Sequence, residues 1–181
     1  MNTIETPRLF LRAWSDEDIA PFFSMNQDPK VMEFMPNLWT MDMVTSFIER
    51  MNTQLAEAHY TLWAVEQKST HQFMGFIGLN SPVWEAHFTP CVEIGWRLAF
   101  SFWGRGYATE GAKAVLNYAF NVLNLKEIVA FTVPDNLRSQ RVMEKLGMVR
   151  DEQGDFLHPK IDPVNSLAKH YLFRITNNRD D

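Results

Sequence analysis

Val92-Glu93-Ile94-Gly95-Trp96-Arg97-Leu98, followed by Trp103-Gly104-Arg105-Gly106-Tyr107-Ala108-Thr109-Glu110, is the most informative stretch of the chain. The first part alternates as a strand. The second is a tight turn, with Gly104, Gly106 and the small Ala108 at alternate positions, leading directly into a helix. Small residues let a backbone approach a ligand and take positive φ where a turn needs it. The unpaired N–H groups of the helix start, aided by its dipole, then suit an anion such as a diphosphate, and Arg105 adds a charge. Spacing alone fits an ordinary strand-to-helix turn with packing glycines equally well. Two nucleotide motifs fail here. No Lys-Ser/Thr pair follows the glycine, and Thr109 stands where a dinucleotide loop has its third glycine or an alanine.

Upstream, Arg8 to Trp14 reads as a strand, and Ser15 before Asp16-Glu17-Asp18 reads as an N-cap with an acidic first turn, starting a helix towards Met25. Asp28 to Thr40 is irregular. Met43, Phe47, Met51 and Leu55 predict a helix over Met41 to Ala58. Tyr60 to Glu66 and Gln72 to Leu79 read as a hairpin, and Cys91 to Ala99 as a further strand. Downstream, Ala108, Ala112, Val115, Leu116, Ala119 and Leu123 form one apolar helical stripe. Glu127 to Val133 is strand-like, and Leu137 to Leu146 is helical with Gly147 as its C′ residue. Met148 to Glu152 and Lys169 to Ile175 read as closing strands. This order predicts one α/β (α+β) domain over residues 1–181, with a mixed central sheet covered by helices.

Composition bounds the function. Hydrophobic residues make up 46% of the 181, enough for a sizeable core. The net charge is −5 with scattered Lys and Arg, which argues against nucleic-acid binding and is compatible with a cationic acceptor. A single cysteine, Cys91, excludes an intramolecular disulfide, and the five histidines show no metal-ligand spacing, so no metal is expected. No signal peptide and no apolar run of ~20 residues is visible, so a cytoplasmic protein without membrane partners is expected. Monomer and homodimer both stay open.

Gly104-Arg105-Gly106-Tyr107-Ala108-Thr109-Glu110 resembles the acetyl-CoA diphosphate loop of GNAT enzymes, Gln/Arg-x-x-Gly-x-Gly/Ala, with Trp103 replacing the Gln/Arg. Two further segments are similar to the branch containing ribosomal-protein-serine and -alanine N-acetyltransferases. These are Thr6-Pro7-Arg8-Leu9-Phe10-Leu11-Arg12 and Asn136-Leu137-Arg138-Ser139, the latter continuing to Lys145-Leu146-Gly147-Met148. The three lie in one consistent order over nearly the whole chain.

The resemblance implies a GNAT-like fold with a mostly antiparallel sheet and helices on both faces. It implies acetyl-CoA as co-substrate, its pantetheine arm between the strands Cys91 to Ala99 and Glu127 to Val133. Main-chain groups of Trp96 and Leu98 would contact the arm, N–H groups from Gly104 to Thr109 the diphosphate, and Asn136 and Ser139 the arm or its sulfur end. Asn136 equally suits an N-cap with Ser139 at N3, and Gly95 suits either a bulge that opens the sheet or close packing.

Glu93 is the candidate general base, because an amine must lose a proton before it attacks a thioester. The other reading is a solvent-facing Glu93 paired with Arg97 or a neighbouring strand. Many GNAT enzymes place a tyrosine where Met143 stands, so the thiolate would take its proton from Ser139, Tyr107 or Tyr171. Cys91 reads as a packing residue, with direct transfer implied. Met32 to Trp39 and Asp151 to Ala168, including His158, would frame the acceptor or merely cover core edges. A protein N-terminal amine and a small-molecule amine both suit that acceptor. A non-catalytic acyl-CoA-binding module is a further reading.

Overall fold

The computed structural model describes residues 3–177. Among these, eight strands form one sheet in the order β1-β2-β3-β4-β5-β6-β8-β7. They are β1 (Ile4–Glu5), β2 (Leu9–Arg12), β3 (Leu62–Gln67), β4 (Phe73–Asn80), β5 (Glu93–Leu98), β6 (Glu127–Thr132), β7 (Val149–Leu157) and β8 (Lys169–Thr176). Four α-helices cover the sheet: α1 (Ile19–Met25), α2 (Met41–Ala58), α3 (Tyr107–Asn121) and α4 (Leu137–Lys145). Every pairing is antiparallel except β5 with β6, which α3 connects. The expected mixed, mostly antiparallel sheet is present.

Strand alternation builds the two cores. In β3, Trp63 and Val65 join a cluster with Ala112, Val115 and Leu116 of α3 and Met143 of α4. Leu62 and Ala64 face the other way, towards Phe22 of α1 and Val44, Phe47, Ile48 and Met51 of α2. Successive side chains point to opposite faces, and helices on both faces explain the continuous apolar runs. The α2 stripe is rotated from the expected one: Val44 is buried and Met43 is exposed. Residues 44, 47, 48 and 51 follow the 3.6-residue period more closely than a strict step of four.

The start of α1 differs in detail from expectation. Asp16–Asp18 is a 3₁₀ turn held by a Ser15–Asp18 capping box, and the α-helix begins only at Ile19. The Thr40 side chain accepts from the Met43 N–H at the start of α2.

The sheet opens between β5 and β6, where Glu93↔Val129 is the only registered pair. The Val129 N–H donates to the Val92 carbonyl at 3.0 Å, so that carbonyl faces β6, while the Ala99 N–H faces β4 through Met74. Main-chain alternation therefore turns the peptide groups of Ile94, Trp96 and Leu98 towards the gap. No bulge at Gly95 causes the opening. β4 and β5 stay in register through Gly78↔Gly95, and a Cβ on Gly95 would meet only Leu62 Cδ2 at 3.7 Å. β6 instead pairs along its full length with β8.

Asp151 to Ala168 is not one loop. β7 runs on to Leu157 with an irregularity between Asp151 and Phe156. The Asp151 carboxylate is tied to Arg174 at 2.9 Å and Asp155 to Arg150 at 3.0 Å, which holds the looped-out residues against the sheet.

Candidate active site

The strand gap and the mouth of α3 share one cavity of about 740 Å³. Glu93, Trp96 and Leu98 line it from β5, and Gly104, Gly106, Tyr107, Ala108 and Thr109 from the turn. Asn136 and Ser139 close it from α4. Arg105 does not line it; its carbonyl accepts from Arg8 Nη1 at 3.0 Å. The size lies within the usual range for a ligand site.

Gly104 and Gly106 sit at φ +73° and +79°, in the left-handed region that costs an L-residue roughly 1–2 kcal/mol. Nothing lies within 4 Å of a Cβ built on Gly104, so conformation rather than crowding demands glycine there. Gly106 caps α3 with no side-chain acceptor. The first intrahelical bond runs from Glu110 N–H to the Gly106 carbonyl. The N–H groups of Tyr107, Ala108 and Thr109 thus open on the cavity without helical partners.

The N-terminal strand holds this turn in place. The Glu110 carboxylate accepts from Thr6 Oγ1 at 2.6 Å, the Arg8 N–H at 3.0 Å and Arg8 Nε at 2.6 Å. The Arg8 guanidinium also lies 4.2 Å from the Tyr107 ring centroid. Burial opposes ionisation of Glu110, yet bonds from Thr6 and Arg8 keep its carboxyl below the usual range. The Thr6-Pro7-Arg8 and Ala108-Thr109-Glu110 segments are therefore two halves of one clamp. Trp103 acts in a comparable way, since its Nε1 donates to the Leu98 carbonyl at 2.7 Å and pins the turn to β5.

Asn136 caps α4, its Oδ1 accepting from the Ser139 N–H at 3.2 Å. Arg138, Arg141 and Lys145 also line the cavity from α4. Their spacing of three and four is a basic helical stripe that the sequence displays and the motif reading overlooked. Met143 is buried and forms apolar wall, so no phenol stands at that position. Tyr171 is not a lining residue; Arg150 lies over its ring at 3.4 Å. Tyr107 lines the cavity, with its hydroxyl accepting from Gln67 Nε2 at 2.9 Å.

Glu93 stands at the apex of the opening and, among the described residues, is the one acid lining the cavity. Its partner is Asn80, whose Nδ2 donates to Oε1 at 3.0 Å; neither Arg97 nor bulk solvent fills that role. Burial pushes the carboxyl up to about 7, with the Asn80 bond opposing. Such a group is part ionised at neutral pH and can accept a proton. Cys91 lies two residues before β5, outside the strand that was expected to begin with it, and packs beside Phe88, Val129 and Leu172. Burial and the nearby Glu93 push it up to about 11, which leaves it a neutral thiol.

Further along the same face of β5, Arg97 faces Trp39 and Met35, both from the irregular segment between α1 and α2. Glu33 of that segment pairs with Arg138 of α4. At the other end His158 packs on Trp84, at 4.9 Å between centroids, and on His170 at 5.2 Å. Burial and the neighbouring His170 push His158 down to about 4, so the ring is neutral and set in an aromatic cluster rather than solvated.

The family described as "Acetyltransferase (GNAT) domain" matches residues 8–149. The chain belongs to the GNAT family of N-acetyltransferases. A Bacillus subtilis (strain 168) protein named uncharacterized N-acetyltransferase YnaD is 30% identical over 173 residues, 95% of each chain. A solved GNAT-family acetyltransferase from Bacillus anthracis superposes with a TM-score of 0.78 at 27% identity, covering 97% of this chain and 98% of that one. The ribosomal L7/L12 α-N-protein acetyltransferase RimL, solved with coenzyme A, gives a TM-score of 0.79 at 12% identity, covering 99% and 100%. The matched residues of this GNAT domain begin at Arg8 of the clamp and run through the turn, the opening and α4.

Proposed function

We propose that this GNAT domain moves an acetyl group from acetyl-CoA directly to a primary amine, with Glu93 removing the amine proton. The observation carrying this reading is the placement of Glu93: a carboxyl raised to about 7, at the point where β5 and β6 part, in the cavity that also receives the free N–H groups of α3. The donor fits the residues present. The α3 amides suit its diphosphate, the gap-facing peptide groups of Trp96 and Leu98 suit an extended arm, and Arg138, Arg141 and Lys145 supply positive charge. The Leu98 carbonyl is already engaged by Trp103, so its N–H is the better contact.

When bound, acetyl-CoA supplies a thioester carbonyl and a thiolate leaving group. Glu93 takes the ammonium proton, directly or through one water, leaving a lone pair that forms the C–N bond as the C–S bond breaks. The Trp96 N–H, which faces the gap, would donate to the carbonyl oxygen as charge develops there. Ser139, one of the cleft hydroxyls with Tyr107, Thr109 and Thr132, would donate to the departing sulfur and regain a proton from the nitrogen as the amide forms. Cys91 has no part, because a thiol raised to about 11 is a poor nucleophile.

Replacement of Glu93 by Gln tests this. Turnover should fall with acetyl-CoA affinity retained; wild-type turnover at every pH would remove Glu93 from the reaction. The absence of a phenol at Met143 favours one competing reading, a module that binds acyl-CoA without turnover. Coenzyme binding with no thiol release across a broad amine panel would establish that reading. A protein N-terminal acceptor is supported by the resemblance to ribosomal-protein acetyltransferases; among solved ones, RimL at 12% identity extends the likeness to the fold alone.

A further inference from the structure

Arg97 projects from β5 on the same face as Glu93, four residues along and therefore roughly 13 Å away between Cα atoms. Its surroundings are unusual for a guanidinium. Nη1 donates to Asn26 Oδ1 at 2.6 Å, and the remaining polar contacts are the sulfurs of Met35 at 3.3 Å and Met32 at 4.0 Å. The faces of Trp39 and Phe76 lie 4.9 and 5.4 Å from its centre. Among the described residues no carboxylate pairs with it. Burial pushes the guanidinium down to about 10, so it stays charged at neutral pH.

A buried charge without a counter-ion is costly, and folded proteins usually pair it. Here the fold devotes further structure to holding the charge in place. Asn26 is fully buried, and its Nδ2 donates to the Phe22 carbonyl at 2.8 Å, which fixes Oδ1 for Arg97. Five N–H donors meet one strong neutral acceptor and two weak thioethers. The part of Arg97 left open lines the cavity, where Glu93 is the lone acid among the described residues and Lys30 and Arg50 add positive charge from the α1–α2 side. The diphosphate mouth does not account for it, since the partners of Arg97 all belong to the layer of α1, α2 and the segment joining them, or to β4 beneath it.

We propose that the acceptor is a small amine that also bears a carboxylate, and that Arg97 is the residue that binds this carboxylate while Glu93 faces the amine. The inference rests on the acetyl-transfer reading above. The deep position of Arg97 between aromatic faces favours a compact ligand that enters whole over a protein N-terminus. A pocket with this charge disfavours polyamines.

The test uses the full chain, acetyl-CoA and pairs of amines differing only in one group: amino acids of several amine-to-carboxylate spacings against their carboxamides. A polyamine and a short acidic peptide complete the panel. Thiol release should favour a carboxylate over its carboxamide by about tenfold or more in kcat/KM, the scale of a charge-assisted hydrogen bond. Arg97→Gln should bring that ratio close to one while acetyl-CoA affinity, measured by calorimetry, is unchanged. Because Arg97 is largely enclosed by packed side chains, the wild-type ratio stands as a readout independent of whether the variant folds. Equal or better rates with carboxamides or polyamine, or turnover of the peptide alone, would overturn the acceptor proposal and leave the enzyme reading intact. Acetyl-CoA binding without turnover of any amine would overturn both.

Discussion

On the proposed donor side of the cleft the groups facing the cavity are mostly peptide amides; on the proposed acceptor side they are side chains gathered from distant segments. The α3 mouth offers N–H groups of consecutive residues, positioned by two left-handed glycines. The acceptor side joins Glu93 to Asn80 of β4, and Arg97 to Asn26, Met35 and Trp39. Backbone sites tolerate a change of most side chains but not of φ. Side-chain sites tolerate backbone variation but depend on each partner. Substitutions on the two sides should therefore fail differently.

The largest expected effect is on the acceptor side. Glu93→Gln should lower kcat by roughly 100-fold or more, the usual scale of general-base catalysis, with acetyl-CoA affinity retained. In the wild type, kcat/KM should rise with pH through a midpoint near the Glu93 value of about 7, because only the ionised carboxylate accepts the proton. Stability moves the opposite way. The folded-state carboxyl is raised, so its favourable contribution is complete below the unfolded value of about 4.5 and is lost as pH rises through about 7. Glu93→Gln should thus raise Tm relative to wild type at alkaline pH and lose that advantage below about pH 5. An advantage that persists at acid pH would contradict the burial argument.

On the donor side, Gly106→Val should weaken acetyl-CoA by roughly tenfold or more, because a β-branched residue resists φ +79° and turns the N–H groups away. Calorimetric affinity equal to wild type would break the backbone half of the comparison. Glu110→Ala should be milder, raising KM for acetyl-CoA several-fold and costing about 1–2 kcal/mol in chemical denaturation, since Thr6 and Arg8 lose their shared acceptor.

Asn80→Ala removes the bond that favours ionised Glu93, so the acidic limb of the kcat/KM profile should move to higher pH. An unmoved limb would show that Asn80 does not tune Glu93. The smallest effect belongs to Cys91→Ala, which should leave steady-state turnover near wild type. An acetylated Cys91 trapped by mass spectrometry would overturn direct transfer.

The same division separates what is legible in the chain from what is not. The turn, the capping of α4 by Asn136 and the extents of α2 and α3 follow from local rules of φ, helix periodicity and end chemistry. Gly95 leaves a bulge and close packing equally open; the ladder with β4 runs through it undisturbed, and a Cβ there would meet only Leu62 Cδ2 at 3.7 Å. The continuation of β7 is hidden because ion pairs to Arg174 and Arg150, not alternation, hold its irregular middle. The basic stripe of α4 is legible, but as a charge pattern it looks like any solvated face.

The order of residues alone determined the sheet-and-helix alternation, the glycines that must turn left-handed and the amides they leave free, because each depends on neighbours within a few positions. Tertiary structure decided that Glu93 meets Asn80 rather than Arg97, that its carboxyl is desolvated, and that Arg97 stands charged among neutral groups. Desolvation and charge pairing are sums over everything within a few ångströms, and here those neighbours come from segments 13 to 71 residues away.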